Sequence, residues 1–261
     1  MKAIVVSVLF ASTSSLYACR WDRDTLVHEA TGMPDVIEAT TGRFARNPPL
    51  YYRMRIDRES KEVTAHPDRL DLYDDIGVAY DSVGDDDSAM VYMLKKAQRM
   101  GDLRRAKTVN SKRDAFSEAA YRFYANMGTF MFHQWVRHGA KVQDIDPAEH
   151  ACDLIVRALE INPDAHFGRE VVQLEAMRWM IGRKLGTETR SLGESLEYVI
   201  DKVKPTNEVR ETLRNKNIKG LIGLIVLGNA WESPDAFEAL ASEIDSAKQR
   251  PTKIGMFVSL R

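Results

Sequence analysis

A chain of 261 residues with 44% hydrophobic and 29% charged residues has the balance of a folded, water-soluble protein of one large or two ordinary domains, which excludes a disordered chain and a multi-span membrane protein. Its 37 basic and 38 acidic residues nearly cancel, so the positive potential behind non-specific nucleic-acid binding is missing, and neither DNA nor RNA is the expected partner. Two cysteines, Cys19 and Cys152, allow at most one disulfide and lack the paired spacing of a zinc or redox centre.

The first element is an export signal. Met1-Lys2 places one positive charge ahead of the apolar run Ala3 to Phe10, which is far shorter than the ~20 residues needed to span a bilayer. After the small polar patch Ala11 to Ser15, the residues Leu16-Tyr17-Ala18-Cys19 resemble the lipobox of bacterial lipoproteins. That resemblance implies a signal peptide over residues 1–18, a lipid attached to the Cys19 thiol, and an address in the bacterial cell envelope, at the periplasmic side or the outer membrane. Two other readings stay open: plain secretion, and a first buried strand of an α/β sheet formed by Lys2 to Val8. No glycine-rich phosphate loop follows to support the strand.

Between Asp22 and Arg46, Gly32, Pro34 and Gly42 leave room for two short helical pieces, so residues 19–48 are expected to act as a tether to the folded body. Asn47-Pro48-Pro49 reads as a capped helix start, with the helix running from Leu50 to about Ala65 and ending before His66-Pro67.

From Leu70 a repeat pattern begins. Tyr73, Ile76, Gly77 and Tyr80 fall at i, i+3, i+4 and i+7 on one helix face, Gly84 breaks the helix, and the acids Asp85-Asp86-Asp87 suit the positive end of the next. Ala89, Met93 and Ala97 give that second helix a buried stripe. This spacing resembles the tetratricopeptide repeat, a pair of antiparallel helices, with Lys96 standing where the family usually has a small residue. A second match runs from Pro147 to Pro163, where Ala151, Ile155 and Ala158 hold the family's second-helix spacing; the apolar segment before it, Ala115 to His138, is longer than one repeat helix. A helix over 166–186, a charged linker through Lys204-Pro205, and a last helix pair made from the apolar run 220–227 and a Ser233-Pro234-capped helix complete the chain. The runs Thr41 to Tyr52 and Gly228 to Ser233 resemble segments of bacterial repeat proteins, from which no activity follows. The resemblance implies an all-α, tetratricopeptide-like α-solenoid of degenerate antiparallel helix pairs over 49–261.

No catalytic or metal constellation is visible. The six histidines show no ligand spacing, and His133 and His138, five residues apart, point about 140° away from each other on a helix. Ser233 lacks a nucleophile elbow and reads as an N-cap. Asp85 to Asp87 lack the alternation of a calcium loop. The aromatic group Phe116, Tyr121, Phe123, Tyr124, Phe130, Phe132 and Trp135 could line a groove, but aromatics around a whole helix more often bury it. The expectation is therefore a non-enzymatic, cofactor-free scaffold that binds a partner peptide or protein surface. An envelope enzyme or carbohydrate-binding module with a helical fold is the alternative, and a structural subunit is a third reading. In the repeat family the groove is built from non-core positions of the first helix, here Asp71, Asp74, Val78, Asp81 and Ser82. Three acids among the five imply a basic or neutral partner segment.

Overall fold

The computed structural model describes residues 20–105, 113–163, 168–228 and 230–247. Residues 1–19, with the expected signal and Cys19, lie outside them. Among the described residues the chain forms eleven α-helices and no strand, an all-α fold. In order these are α1 (Arg23–Thr31), α2 (Val36–Thr41), α3 (Pro49–Ala65), α4 (Leu70–Ser82), α5 (Asp86–Arg105), α6 (Arg113–Arg137), α7 (Asp146–Ile161), α8 (Arg169–Leu185), α9 (Leu192–Lys202), α10 (Asn207–Val226) and α11 (Pro234–Ala247).

The local signals behind these elements are mostly capping contacts. Asp22 and Asp35 accept the backbone N–H of Thr25 and Glu38 and so start α1 and α2. Gly84, at φ 82°, ends α4, and Asp85 then accepts the Ser88 N–H at 3.1 Å to open α5. Ser233 caps α11 through the Ala236 N–H, as its sequence context implies. Asn47 does not cap α3: Pro48 holds that position, and the Asn47 amide instead donates to Asp24. The expected linker before Lys204 contains α9, whose start is a reciprocal capping box between Ser191 and Glu194. The apolar run 220–227 covers only the buried end of α10 and its C-cap Leu227; the helix begins thirteen residues earlier at Asn207, after the Thr206 cap.

From α3 to α8 each helix packs on the next, with α4 also reaching α6. At the other end, α8 meets α9 and α10, and α11 covers α9 and α10. One apolar core joins α6 to α11 and takes in Ala39 of α2; a second lies among α3, α4, α5 and α6, around Leu72, Ile76, Met93 and Phe130. α2 packs on α10, so the short N-terminal helices reach across to the C-terminal part of the chain.

The stretch read as a tether is instead built into the body. Arg20, Trp21 and Asp22 are all buried. The Trp21 N–H donates to Asn126 Oδ1 at 2.8 Å, its carbonyl accepts from Asn126 Nδ2 at 2.9 Å, and its indole donates to the Tyr121 hydroxyl at 3.0 Å. Glycine spacing suggested looseness here, but the ring of Trp21 and the polar groups flanking it gain burial only by docking on α6.

Two glycines set the approach of the central helices. A Cβ on Gly77 would stand 2.8 Å from Met93 Cε and 3.0 Å from Phe130 Cε2, and one on Gly128 would stand 2.8 Å from the Ala151 carbonyl oxygen. Tyr124, Met127, Gly128 and Met131 repeat on α6 the spacing of Tyr73, Ile76, Gly77 and Tyr80 on α4. Helix propensity favours Gly→Ala by about 1 kcal/mol, yet the Ala151 backbone cannot move aside. Gly128→Ala is therefore expected to lower the midpoint of a thermal melt by several degrees, and Gly77→Leu by more, from overpacking of about 1–3 kcal/mol. A raised midpoint for Gly128→Ala contradicts the close approach of α6 and α7.

A buried carboxyl lies in the C-terminal helices. Glu243 of α11 accepts from Asn217 Nδ2 at 2.9 Å, while its other oxygen has no hydrogen-bond partner among the described residues. Burial, reinforced by the charge of Glu197, pushes this carboxyl up to about 7. The fold thus holds the proton more tightly than the unfolded chain does. That contribution to stability is fully present below the ordinary value of 4.5 and is lost as pH rises to about 7. Glu243→Gln is expected to flatten the dependence of unfolding free energy on pH in this window and to exceed the wild type by about 2–3 kcal/mol above it. Parallel profiles for the two proteins would show that Glu243 does not titrate there.

Candidate functional site

Helix α4 carries three carboxylates into the interior, and each draws in cations or amides from other elements. Asp74 and Lys96 of α5 are both fully enclosed, with Lys96 Nζ donating at 2.6 and 2.7 Å and Asn126 Nδ2 adding a bond at 3.1 Å. Burial pushes the Asp74 carboxyl up and the Lys96 ammonium down, and each charge partly offsets that effect on the other. Asp75 meets Arg55 of α3 at 2.6 Å and Arg23 of α1 at 2.7 Å, and burial pushes its carboxyl up to about 6. Asp81 takes Arg20 at 2.6 Å, Arg137 at 2.9 Å and His133 Nδ1 at 2.8 Å. Burial is the largest influence on Asp81 and pushes it up, but the surrounding cationic groups outweigh it and hold the carboxyl well below the usual range. Burial lowers the His133 imidazole, and the charge of Asp81 and its hydrogen bond partly offset that effect.

This network decides the fate of the five expected groove positions. Asp74 and Asp81 face the interior, not a groove, because the helices that pack on α4 supply their counter-charges. Asp71 is half-exposed and held by Arg69, with bonds of 3.1 and 2.6 Å. Val78 is nearly covered, and Ser82 is half-buried, accepting from Arg20 Nη1 at 3.0 Å. Only Val78 and Ser82 reach a common concavity. The Lys96 departure from the repeat pattern has a physical reason in Asp74 opposite it.

That concavity is an open-sided cleft of about 360 Å³. Its lining comprises Val78 and Ser82 of α4, Val226 and Leu227 at the end of α10, Asp22, Asp24, Thr25 and His28 from the start of the chain's described part, and Arg46, Asn47, Tyr52, Trp231 and Glu232. Asp22 and Asp24 are occupied. Arg55 Nη1 donates to Asp22 at 2.7 Å and to Asp24 at 3.1 Å, and the Tyr51 hydroxyl donates to Asp24 at 2.6 Å. The Arg46 guanidinium lies 3.9 Å from the centre of the Trp231 ring and 4.7 Å from that of Phe44. Arg46 and Trp231 belong to the two separate runs, Thr41 to Tyr52 and Gly228 to Ser233, that resembled bacterial repeat proteins. The fold brings these runs together, which no single-run pattern could show.

Of the aromatic group on α6, Tyr121, Phe130, Phe132 and Trp135 are core residues; Phe116, Phe123 and Tyr124 are half-buried. Cys152 is buried and its thiol is pushed up to about 12, which makes it a packing residue. Among the described residues no group of three or more histidine, cysteine or acidic side chains is arranged to hold a metal ion, and no helix is long and apolar enough to cross a membrane. Comparison with family models, with curated proteins and with solved structures returns no match for this chain.

Removing one member of the Lys96–Asp74 pair strands the other's charge in the interior. Lys96→Met is expected to destabilise the protein by about 3–5 kcal/mol, and adding Asp74→Leu should recover most of that loss in denaturant unfolding. A double variant no more stable than Lys96→Met alone contradicts the pairing.

Proposed function

We propose that the chain is a protein-interaction scaffold of the bacterial envelope: a tetratricopeptide-like stack of degenerate helix pairs that receives a partner segment in the cleft between its N-terminal and C-terminal helices. The observation that carries the binding role is the state of the cleft's carboxylates. Asp22 and Asp24 are held by Arg55 and Tyr51, so they build the wall of the cleft. Support for the repeat reading comes from the recurring glycine spacing on α4 and α6 and from Ala151, Ile155 and Ala158, all fully buried on α7. A carbohydrate platform is less well supported, because Arg46 already covers one face of Trp231.

The envelope address rests on Leu16-Tyr17-Ala18-Cys19, with lipid on Cys19. Arg20 follows directly and is buried, so an acylated Cys19 would hold the body at the bilayer surface with one ~3.8 Å Cα step between them and no free tether. Cys19→Ala is expected to abolish incorporation of labelled fatty acid and to release the protein from membranes; undiminished membrane association overturns the anchor. For the scaffold, a photoreactive amino acid at Glu232, on the cleft rim, should crosslink one discrete protein in intact cells, while the same group at exposed Lys184 should not. The same adducts from both positions, or none from either, count against a partner in the cleft.

A further inference from the structure

We propose that the cleft is a receptor for a single carboxylate, with the Arg46 guanidinium as the group that receives it; this rests on the cleft being the binding site. Arg46 is exposed, its guanidinium carbon lies over the rings of Trp231 and Phe44 at 3.9 and 4.7 Å from their centres, and its N–H donors have no hydrogen-bond or ion-pair partner among the described residues. Among the described residues no carboxylate lies within ion-pair distance of it. The other cationic groups of the cleft are already matched: Arg20 to Asp81, and His28 to Glu38 at 3.6 Å. A guanidinium fixed by two rings loses little side-chain freedom when it accepts a ligand, and its donor fork matches a carboxylate in two parallel bonds.

The surroundings select one negative charge, not two. Asp22 and Asp24 share Arg55, and Glu232 stands on the rim, so a phosphate dianion would meet more negative than positive charge. The same acids repel a monoanion less strongly, and it can pair with the one cation that has no ion pair among the described residues. Val78, Val226 and Leu227 supply an apolar surface beside it, which lowers the local dielectric and strengthens the pair. This reverses the partner charge implied by the acids of α4, because Asp74 and Asp81 spend their charge inside the fold.

The carboxylate can come from an acidic side chain on a protein partner or from a small free acid, and both are tested on the full chain. The probes are acetyl-Gly-Glu-Gly-amide, its Gln counterpart, and propionate, each titrated calorimetrically against wild type and Arg46→Gln. The Glu peptide is expected to bind about tenfold more tightly than the Gln peptide, and Arg46→Gln to erase that difference. A merely structural Arg46 would change stability without changing the preference. A Glu peptide that outbinds propionate assigns the carboxylate to a protein segment, and equal binding assigns it to a free acid; both support the receptor. Equal binding of Glu and Gln peptides, or no binding of any of the three probes, overturns it, while propionate binding alone assigns the site to a free acid. In cells, a crosslinked partner at Glu232 that persists unchanged with Arg46→Gln also overturns the carboxylate receptor while leaving the scaffold intact. Loss of all crosslinks in wild type counts instead against the scaffold, and the titrations then judge the receptor alone.

Discussion

Three carboxylates on one thirteen-residue helix organise this protein. A buried, unpaired carboxylate is too costly to leave in a core, so α4 can be enclosed only if its neighbours bring compensating charge. Asp74 draws Lys96 from α5 and Asn126 from α6, Asp75 draws Arg55 from α3 and Arg23 from α1, and Asp81 draws Arg20, His133 and Arg137. Four packing partners are thereby placed by charge as well as by shape. Pairs of this kind add little net stability over apolar residues of equal volume, but they penalise every arrangement that leaves one member alone. Their contribution is to select one packing.

The cleft is a consequence of the same economy of charge. Arg20 is pulled inward by Asp81, which threads the N-terminal segment beside the end of α4, and Arg55 is pulled down between Asp22, Asp24 and Asp75. With those groups committed, the cation left facing the concavity without an ion pair among the described residues is Arg46, set on Trp231 from the far end of the chain. A site whose charges had been counted from sequence alone would show three acids and three basic groups and no preference. Counted after pairing, the one cation left for a ligand among the described residues of the cleft is Arg46.

Much of the fold was legible. The α4–α5 pair, the C-terminal end of α3, the Ser233 cap and the buried stripe of α7 follow from spacing and capping chemistry that act within a few residues. All but one of the failures share one cause, contacts between residues distant in sequence. Asp74 and Asp81 look like surface positions because acids on a helix usually are, and their burial depends on Lys96, Arg20, His133 and Arg137, distant in sequence. Residues 20–48 look like a tether because Gly32, Pro34 and Gly42 interrupt them, while the decisive contact, Trp21 with Asn126, spans more than a hundred residues. The α9 helix was hidden by its charged composition, although Ser191 and Glu194 offered a readable capping box. Arg46 and Trp231 could not be paired without the fold.

The central claim is that charge on α4 makes the N-terminal segment part of the core. Hydrogen exchange at the Trp21 amide tests it most directly, since that N–H is bonded to Asn126 and has no helix to protect it. The account predicts that Trp21 exchanges as slowly as the central amides of α4 and α6, through global unfolding. It also predicts that Asp81→Asn, which weakens the hold on Arg20, speeds exchange at Trp21 more than at α6. Exchange at Trp21 near the rate of an unprotected amide would mean that the segment is a tether after all and that α4 does not organise the chain.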